Sequence, residues 1–118
     1  METSWAVDYF RDRHGRSPVE EFLHGLDRTT RAKVFRSIAI LEEQGTSLGM
    51  PLAQPVTGYR FWELRVQAAR NSVRVFYFAL SGHRILLLHA FAKKSQQTPR
   101  RELEIAASRF SETLERKP

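Results

Sequence analysis

The stretch that decides the fold runs over residues 61–92 and reads FWELRVQAARNSVRVFYFALSGHRILLLHAFA. It contains three runs rich in β-branched and aromatic residues, over residues 61–67, 73–80 and 84–92, and such runs are typical of strands. Short breaks at residues 68–72 and at Ser81-Gly82 separate the runs. We therefore predict three successive antiparallel strands joined by two hairpins.

Helix signals precede and follow this stretch. Ser17 and Pro18 form a strong helix start, because the hydroxyl can cap the helix and proline suits its first position. The first predicted helix covers residues 17–26, and the second covers residues 28–45 with apolar residues at helical spacing. A third helix begins near residue 98.

The remaining segments predict one strand and one loop. Residues 4–10 alternate apolar and polar side chains, as a short strand does, and glycines and prolines break any period over residues 45–60. A chain of 118 residues has room for one core. We predict a single α+β domain over residues 1–118, with a mainly antiparallel four-stranded sheet, a helical hairpin after strand 1 and a C-terminal helix.

Positive charge concentrates in one part of the chain. Between Arg60 and Arg101 nine basic residues accompany one acid, Glu63, a local balance of +8 within a net charge of +6. Of the 19 basic residues, 15 are arginines, whose planar fork suits phosphate oxygens. The asymmetry predicts an anionic partner, although a coding bias toward arginine would produce the same composition.

The composition also favours a reducing, aqueous compartment. The chain has no cysteine, which removes disulfides and thiolate metal sites. Residues 1–10 lack the apolar run of a signal peptide, and no segment approaches the roughly 18 apolar residues of a membrane span. We predict a cytoplasmic protein without a membrane partner.

Charged side chains at strand positions mark a candidate site. Glu63 and Arg65 share one face of their strand, and a two- or four-residue loop at Ser81-Gly82 would set Arg74 opposite His89. If Arg65 also pairs with Arg74, one face gathers Glu63, Arg65, Arg74, His89, Phe91 and Lys93. The other face, apolar enough to receive the helices, would hold Trp62, Leu64, Val66, Val73, Val75, Tyr77, Leu86 and Leu88.

The same residues allow purely structural roles. Glu63 could simply form a salt bridge with Arg65 or Arg74, and His89 could be a packed histidine that donates one hydrogen bond. The four histidines show no metal-ligand spacing, and phosphate loops and nucleophile elbows are absent from the sequence. We therefore predict no metal and no cofactor. A metal-free reaction at phosphate remains, because RNA supplies its own nucleophile, the 2′-hydroxyl.

Several motifs, taken in order, span nearly the whole chain. They are Gly15-x-x-Pro18-Val19-x-x-Phe22-Leu23, Leu41-Glu42-x-x-Gly45, Trp62-Glu63-Leu64-Arg65, Arg74-Val75-Phe76-Tyr77 and Leu88-His89-x-Phe91-x-Lys93-Lys94-x-x-x-x-Pro99. In this order and spacing the chain resembles the RelE/ParE superfamily of toxins, in particular its phage-derived HigB-type branch.

The resemblance implies a RelE-like fold and the toxin of a type II toxin-antitoxin system. Such a toxin cleaves mRNA on the ribosome without a metal, and its cognate antitoxin often carries a helix-turn-helix domain. By position Arg65 and Arg74 resemble residues that bind and stabilise phosphate. Lys93 or Lys94 resembles the basic residue that ends the last strand, and His89 or Glu63 is the candidate proton acceptor. Further RNA contacts are predicted at Arg60, Arg70, Lys94, Arg100 and Arg101.

Two other functions are compatible with the same family. One is a ParE-like toxin that inhibits DNA gyrase without cutting RNA, because a shared fold does not fix an activity. The other is an inactive prophage relic that only binds antitoxin.

Overall fold

The computed structural model describes residues 4–94 and 96–116. In chain order the elements are β1 (Ala6–Tyr9), α1 (Pro18–His24), α2 (Arg28–Gln44), β2 (Ala53–Pro55), β3 (Trp62–Gln67), β4 (Ser72–Leu80), β5 (Arg84–Ala92) and α3 (Arg100–Arg116), with a short 3-10 turn at Gly45–Ser47. The α+β class and the order of the predicted helices are therefore confirmed.

The strands form one five-stranded mixed sheet in the order β1-β5-β4-β3-β2. β1 runs parallel to β5, and the other neighbours are antiparallel. The prediction of four strands is wrong, because β2 forms inside the segment expected to be loop. Its Ala53 is fully buried and pairs with Leu64. Pro55 occupies the edge strand, where a missing N–H breaks no ladder.

The starts of α1 and α2 follow directly from local sequence. Ser17 accepts a hydrogen bond from the Glu20 backbone N–H at 3.4 Å, and Asp27 accepts one from the Thr30 N–H at 3.0 Å. Each cap satisfies a backbone donor that the first turn leaves unpaired. The predicted start at Pro18 is therefore confirmed, and the helix ends at His24, two residues before the predicted end.

Different helices cover the two faces of the sheet. The core under α1 and α2 includes Val19, Leu23, Val34, Ile38, Leu41, Leu64, Val73, Val75, Ile85 and Leu87. The core under α3 consists of Phe61, Phe76, Phe78, Leu86, Leu88, Phe91 and Ala106. α3 thus packs on the face that carries the predicted site. No helix in residues 4–94 and 96–116 is both long and apolar enough to cross a membrane.

The β4–β5 hairpin has a three-residue loop, neither of the two lengths assumed from the sequence. Leu80 pairs with Arg84 across this loop, and His83 takes a left-handed conformation with φ of 57°. An odd loop length exchanges the faces of the adjoining strand relative to the assumed register. Leu86 and Leu88 consequently pack under α3, and their predicted place under the other helices is wrong.

A β-bulge at Leu88 then restores the predicted face for the rest of β5. Tyr77 pairs with Leu87, but the next residue of β4, Phe76, pairs with His89, which leaves Leu88 without a partner in β4. Arg74 in turn pairs with Phe91. The expected Arg74–His89 pairing is therefore wrong by two residues. A bulge adds one unpaired residue to one strand, which is why His89 still shares a face with Arg74.

Candidate nucleic-acid interface

A cavity of about 450 Å³ opens where β3 and β5 end and β4 begins. Arg65 and Arg74 are cross-strand neighbours there, which meets the condition set for the predicted charged face. The Lys93 N–H donates to the Ser72 carbonyl at 2.6 Å. Four cations and no acid appear among its described lining residues, which are Arg65, Ser72, Arg74, Lys93, Lys94 and Gln96. We call this the strand-end cavity; it unites four of the predicted site residues.

Arg74 is a fixed, largely buried cation at this cavity. Its Nη1 donates to Ser72 Oγ at 2.6 Å and to the Val73 carbonyl at 3.3 Å. Burial lowers the pKa of Arg74 below its ordinary value, the Glu63 carboxylate opposes that shift and nearby Arg65 adds to it. A guanidinium nevertheless stays protonated in proteins. The side chain therefore presents a permanent positive charge in a preorganised position.

Glu63 supports Arg74 from beneath the cavity. Its Oε2 lies 3.4 Å from Arg74 Nε, within ion-pair distance but without hydrogen-bond geometry. Gln54 Nε2 donates to Oε1 at 3.1 Å. The Glu63 side chain is only 7% exposed and does not line the strand-end cavity. This carboxylate is consequently placed to orient Arg74 and to balance its charge.

His89 is held by α3 on both sides of its ring. Nε2 lies 2.6 Å from Glu102 Oε1, and Arg109 Nη1 lies 3.3 Å from Nδ1. Arginine can only donate, so Nδ1 accepts and Nε2–H donates to the carboxylate. Burial lowers the pKa of His89, the Glu102 hydrogen bond opposes this shift and Arg109 reinforces it. Both nitrogens of a neutral imidazole are therefore occupied.

Glu102 and Arg109 are site neighbours that the sequence analysis missed. They lie seven residues apart on α3, with the buried Ala106 between them on the same face. That helical spacing was a usable signal. The spacing alone does not reveal that α3 packs on the charged face of the sheet rather than on the predicted apolar face.

The other predicted RNA contacts lie outside the strand-end cavity, except Lys94. Arg60 stacks its guanidinium 5.4 Å from the centre of the Phe110 ring and lines a different groove. Arg70 is exposed in the turn between β3 and β4. Arg100 pairs with Glu104 at 3.3 Å, and Arg101 lies 3.7 Å from Glu102.

A second cavity, of about 550 Å³, lies between α2 and β3. We call it the α2 cavity. Lys33 and Arg36 line it and are exposed, but they come from the part of the chain whose charge balance is negative, so neither is among the predicted RNA contacts. The described lining residues contain no acid and are Lys33, Arg36, Ser37, Ile40, Pro51, Leu52, Arg65, Val66, Gln67 and Arg74.

Metal ligands are not gathered at either cavity. Across the part of the chain that the structure describes, no group of three or more His, Asp or Glu side chains is arranged to hold a metal ion. The chemistry available at the strand-end cavity is that of guanidinium and ammonium groups, which bind and stabilise anionic oxygens.

Sequence comparison identifies the family. The family model described as phage-derived protein Gp49-like matches residues 21–111, which include all of α2, the strands β2 to β5 and most of α3. This chain belongs to the Gp49-like family. The Gp49-like protein is also similar to a Mycobacterium tuberculosis protein described as putative toxin HigB2, with 34% identity over 98 residues.

That match covers 80% of this chain and 45% of the relative. The Gp49-like protein thus spans a little under half the length of the curated relative that it matches. The resemblance to the phage-derived HigB-type branch, drawn from the motifs, is confirmed.

Proposed function

We propose that this Gp49-like protein is the toxin of a toxin-antitoxin system and that it acts as a metal-independent endoribonuclease on mRNA. One observation carries the proposal: Arg65, Arg74, Lys93 and Lys94 converge on one cavity whose described lining holds no acid. The family match and the likeness to a putative HigB2 toxin support the toxin role.

The proposed reaction uses the RNA's own 2′-hydroxyl as nucleophile. The 2′-oxygen attacks the adjacent phosphorus, the bond from phosphorus to the 5′-oxygen breaks, and a cyclic 2′,3′-phosphate and a 5′-hydroxyl result. Arg65 and Arg74 stabilise the charge that develops on the phosphate oxygens. Lys93 is the proposed donor of a proton to the leaving 5′-oxygen, and the 2′-hydroxyl proton passes to water at the open mouth of the cavity.

Glu63 and His89 have indirect roles in this proposal. Glu63 orients Arg74, since its carboxylate faces the guanidinium rather than the cavity. His89 is bonded to Glu102 and Arg109 and so anchors α3 to β5. Direct proton transfer by either residue stays a prediction, and for His89 it would require α3 to move first.

The proposed partners follow from the same cavity. An antitoxin, expected to carry a helix-turn-helix domain, would silence the protein by laying acidic side chains against the strand-end cavity. The proposed substrate is mRNA, engaged on the ribosome, and the proposed compartment is the cytoplasm. Binding of phosphates by several fixed cations also predicts a strong dependence of affinity on salt.

The test is controlled expression of the wild-type chain and of Arg65→Ala, with growth followed and mRNA 5′ ends mapped soon after induction. Arg65 is preferable to Arg74 because its side chain is less buried, so its removal disturbs the fold less. Arg28→Ala is the matched control, since Arg28 is exposed and belongs to neither cavity lining.

Growth arrest with new cuts inside translated codons, lost in Arg65→Ala and kept in Arg28→Ala, is the expected result. Arrest with intact mRNA and broken DNA would replace the nuclease by a gyrase-inhibiting toxin. Normal growth on induction of a folded wild-type chain would indicate an inactive relic.

A further inference from the structure

The α2 cavity differs chemically from the strand-end cavity. Its lining combines four apolar residues, Ile40, Pro51, Leu52 and Val66, with four cations, of which Lys33 and Arg36 are exposed. The strand-end cavity is walled mainly by charged and amide side chains. One cavity therefore suits anionic oxygens and the other suits a flat, largely apolar group with an anion beside it.

The two cavities meet at the last residues of β3, beyond its pairing with β2. β2 accompanies β3 only as far as Leu64, and beyond it the Arg65 N–H donates to the Leu52 carbonyl at 2.8 Å. Lys33 Nζ donates to the Gln67 carbonyl at 3.2 Å, which brings α2 over the same end of β3. Arg65 and Arg74 line both cavities.

The α2 residues at this cavity form one helix face. Lys33, Arg36, Ser37 and Ile40 follow the spacing i, i+3, i+4 and i+7. Lys33 and Arg36 are exposed, while Ile40 packs against the core. The helix thus presents a half-buried apolar side chain and two exposed cations to a cavity that Arg65 also lines.

We propose that the α2 cavity binds an unpaired nucleobase of the RNA strand whose phosphate lies at Arg65 and Arg74, with Lys33 and Arg36 holding a neighbouring phosphate. The inference rests on the proposed function and deepens it. A base can enter such a cavity only when it is splayed out of a helix, which is how proteins usually recognise single-stranded RNA. The substrate class is therefore single-stranded RNA, with one base removed from its stack.

Two non-cleavable probes test the base site. One is a short single-stranded RNA with 2′-O-methyl groups throughout, which cannot attack its own phosphate. The other is a series of versions of this oligonucleotide, each of which lacks one base at a different position but keeps the complete backbone. Fluorescence anisotropy at low salt measures the affinity of the full protein for each.

Two variants separate a base site from general attraction to phosphate. Ser37→Phe fills the cavity without changing charge, and Ser108→Phe places the same ring on an exposed site of α3. Lys33→Ala with Arg36→Ala, the double rim variant, removes two exposed cations that line the α2 cavity, and Arg13→Ala with Arg28→Ala removes two exposed charges that line neither cavity.

We expect loss of one particular base to weaken binding about tenfold, in the range known for single base contacts. Ser37→Phe should abolish that difference, and Ser108→Phe should keep it. The double rim variant should lower the slope of log affinity against log salt by about 0.7, because its two cations hold one phosphate and each phosphate contact contributes about 0.7 on single strands. The Arg13 and Arg28 variant should leave the slope unchanged.

Equal affinity of the wild type for every abasic probe would overturn the base site and leave the proposed nuclease standing. A base preference that survives Ser37→Phe would place the base elsewhere and also overturn the inference. Failure of the wild type to bind any probe at low salt would also overturn the inference, whereas the proposed nuclease, which acts on mRNA engaged on the ribosome, stands or falls with the mapping of mRNA 5′ ends.

Discussion

The His89 imidazole lies 2.6 Å from the Glu102 carboxylate, and this contact joins β5 to α3 across the face that carries the strand-end cavity. Arg109 from the next turns of the same helix occupies the second ring nitrogen at 3.3 Å. A histidine satisfied on both sides in its neutral form is a structural anchor with a pH-dependent strength.

We predict that His89 makes the protein less stable in mild acid. Burial, the dominant cause, lowers the pKa of His89 below its ordinary value of 6.5. The unfolded chain therefore takes up a proton at His89 more readily than the folded protein does. The stabilisation is complete above about pH 6.5, the unfolded-state pKa of histidine, and is lost as the pH falls through the lowered folded-state pKa.

Thermal melts between about pH 8 and about pH 5 check this. The loss of Tm on acidification should be larger in the wild type than in His89→Gln. His24→Gln, at an exposed histidine, should behave as the wild type does. An identical pH dependence in wild type and His89→Gln would contradict the assignment.

The ion pair between Glu63 and Arg74 should matter far more than an exposed pair of similar length. Glu63→Ala leaves a largely buried cation without its counter-charge and should cost about 3 kcal/mol of unfolding free energy. Asp8→Ala removes the Asp8–Arg84 pair, which spans 3.2 Å with both side chains about half exposed, and should cost less than about 1 kcal/mol. Urea denaturation compares them, and equal losses would refute the argument.

Gly45 should tolerate no side chain. Its φ is +54°, and a Cβ there would overlap the Trp5 indole. We expect Gly45→Ala to destabilise the protein by about 2 kcal/mol through backbone strain and steric conflict. Gly49→Ala is the control, because a Cβ at Gly49 meets nothing within 4 Å. A Tm for Gly45→Ala equal to that of Gly49→Ala would show that the β1 end does not pack as described.

Lys94 and Arg70 should contribute differently to the RNA affinity of the protein, although both are exposed cations of the same charged segment. Lys94 lines the strand-end cavity and Arg70 lies in the β3–β4 turn outside both cavity linings. Lys94→Ala should weaken binding severalfold at low salt and reduce the salt slope by about 0.7. Arg70→Ala should change neither quantity, and equal effects would indicate that net charge alone attracts the RNA.

Local patterns were enough for much of the fold. The β-rich stretch of residues 61–92 predicted β3, β4 and β5, and the capping residues Ser17 and Pro18 predicted the start of α1. These features depend on neighbours in the chain, which a sequence shows directly. The Arg65–Arg74 pairing was a condition of the predicted charged face, and the structure meets it through the short turn between β3 and β4, because turn length fixes which residues face each other.

The sequence by itself therefore determined the α+β class, the order of the main elements and the charged strand face that carries Glu63, Arg65 and Arg74. Only the tertiary structure decided that β1 joins β5 in parallel, that β2 pairs with β3, and that α3 closes over His89. The α2 cavity likewise depends on the tertiary structure, because α2 and β3 are far apart in the chain. The physical reason is that these features arise from packing between distant segments, where the buried area and hydrogen bonds of the whole fold select one arrangement among several that each local pattern allows.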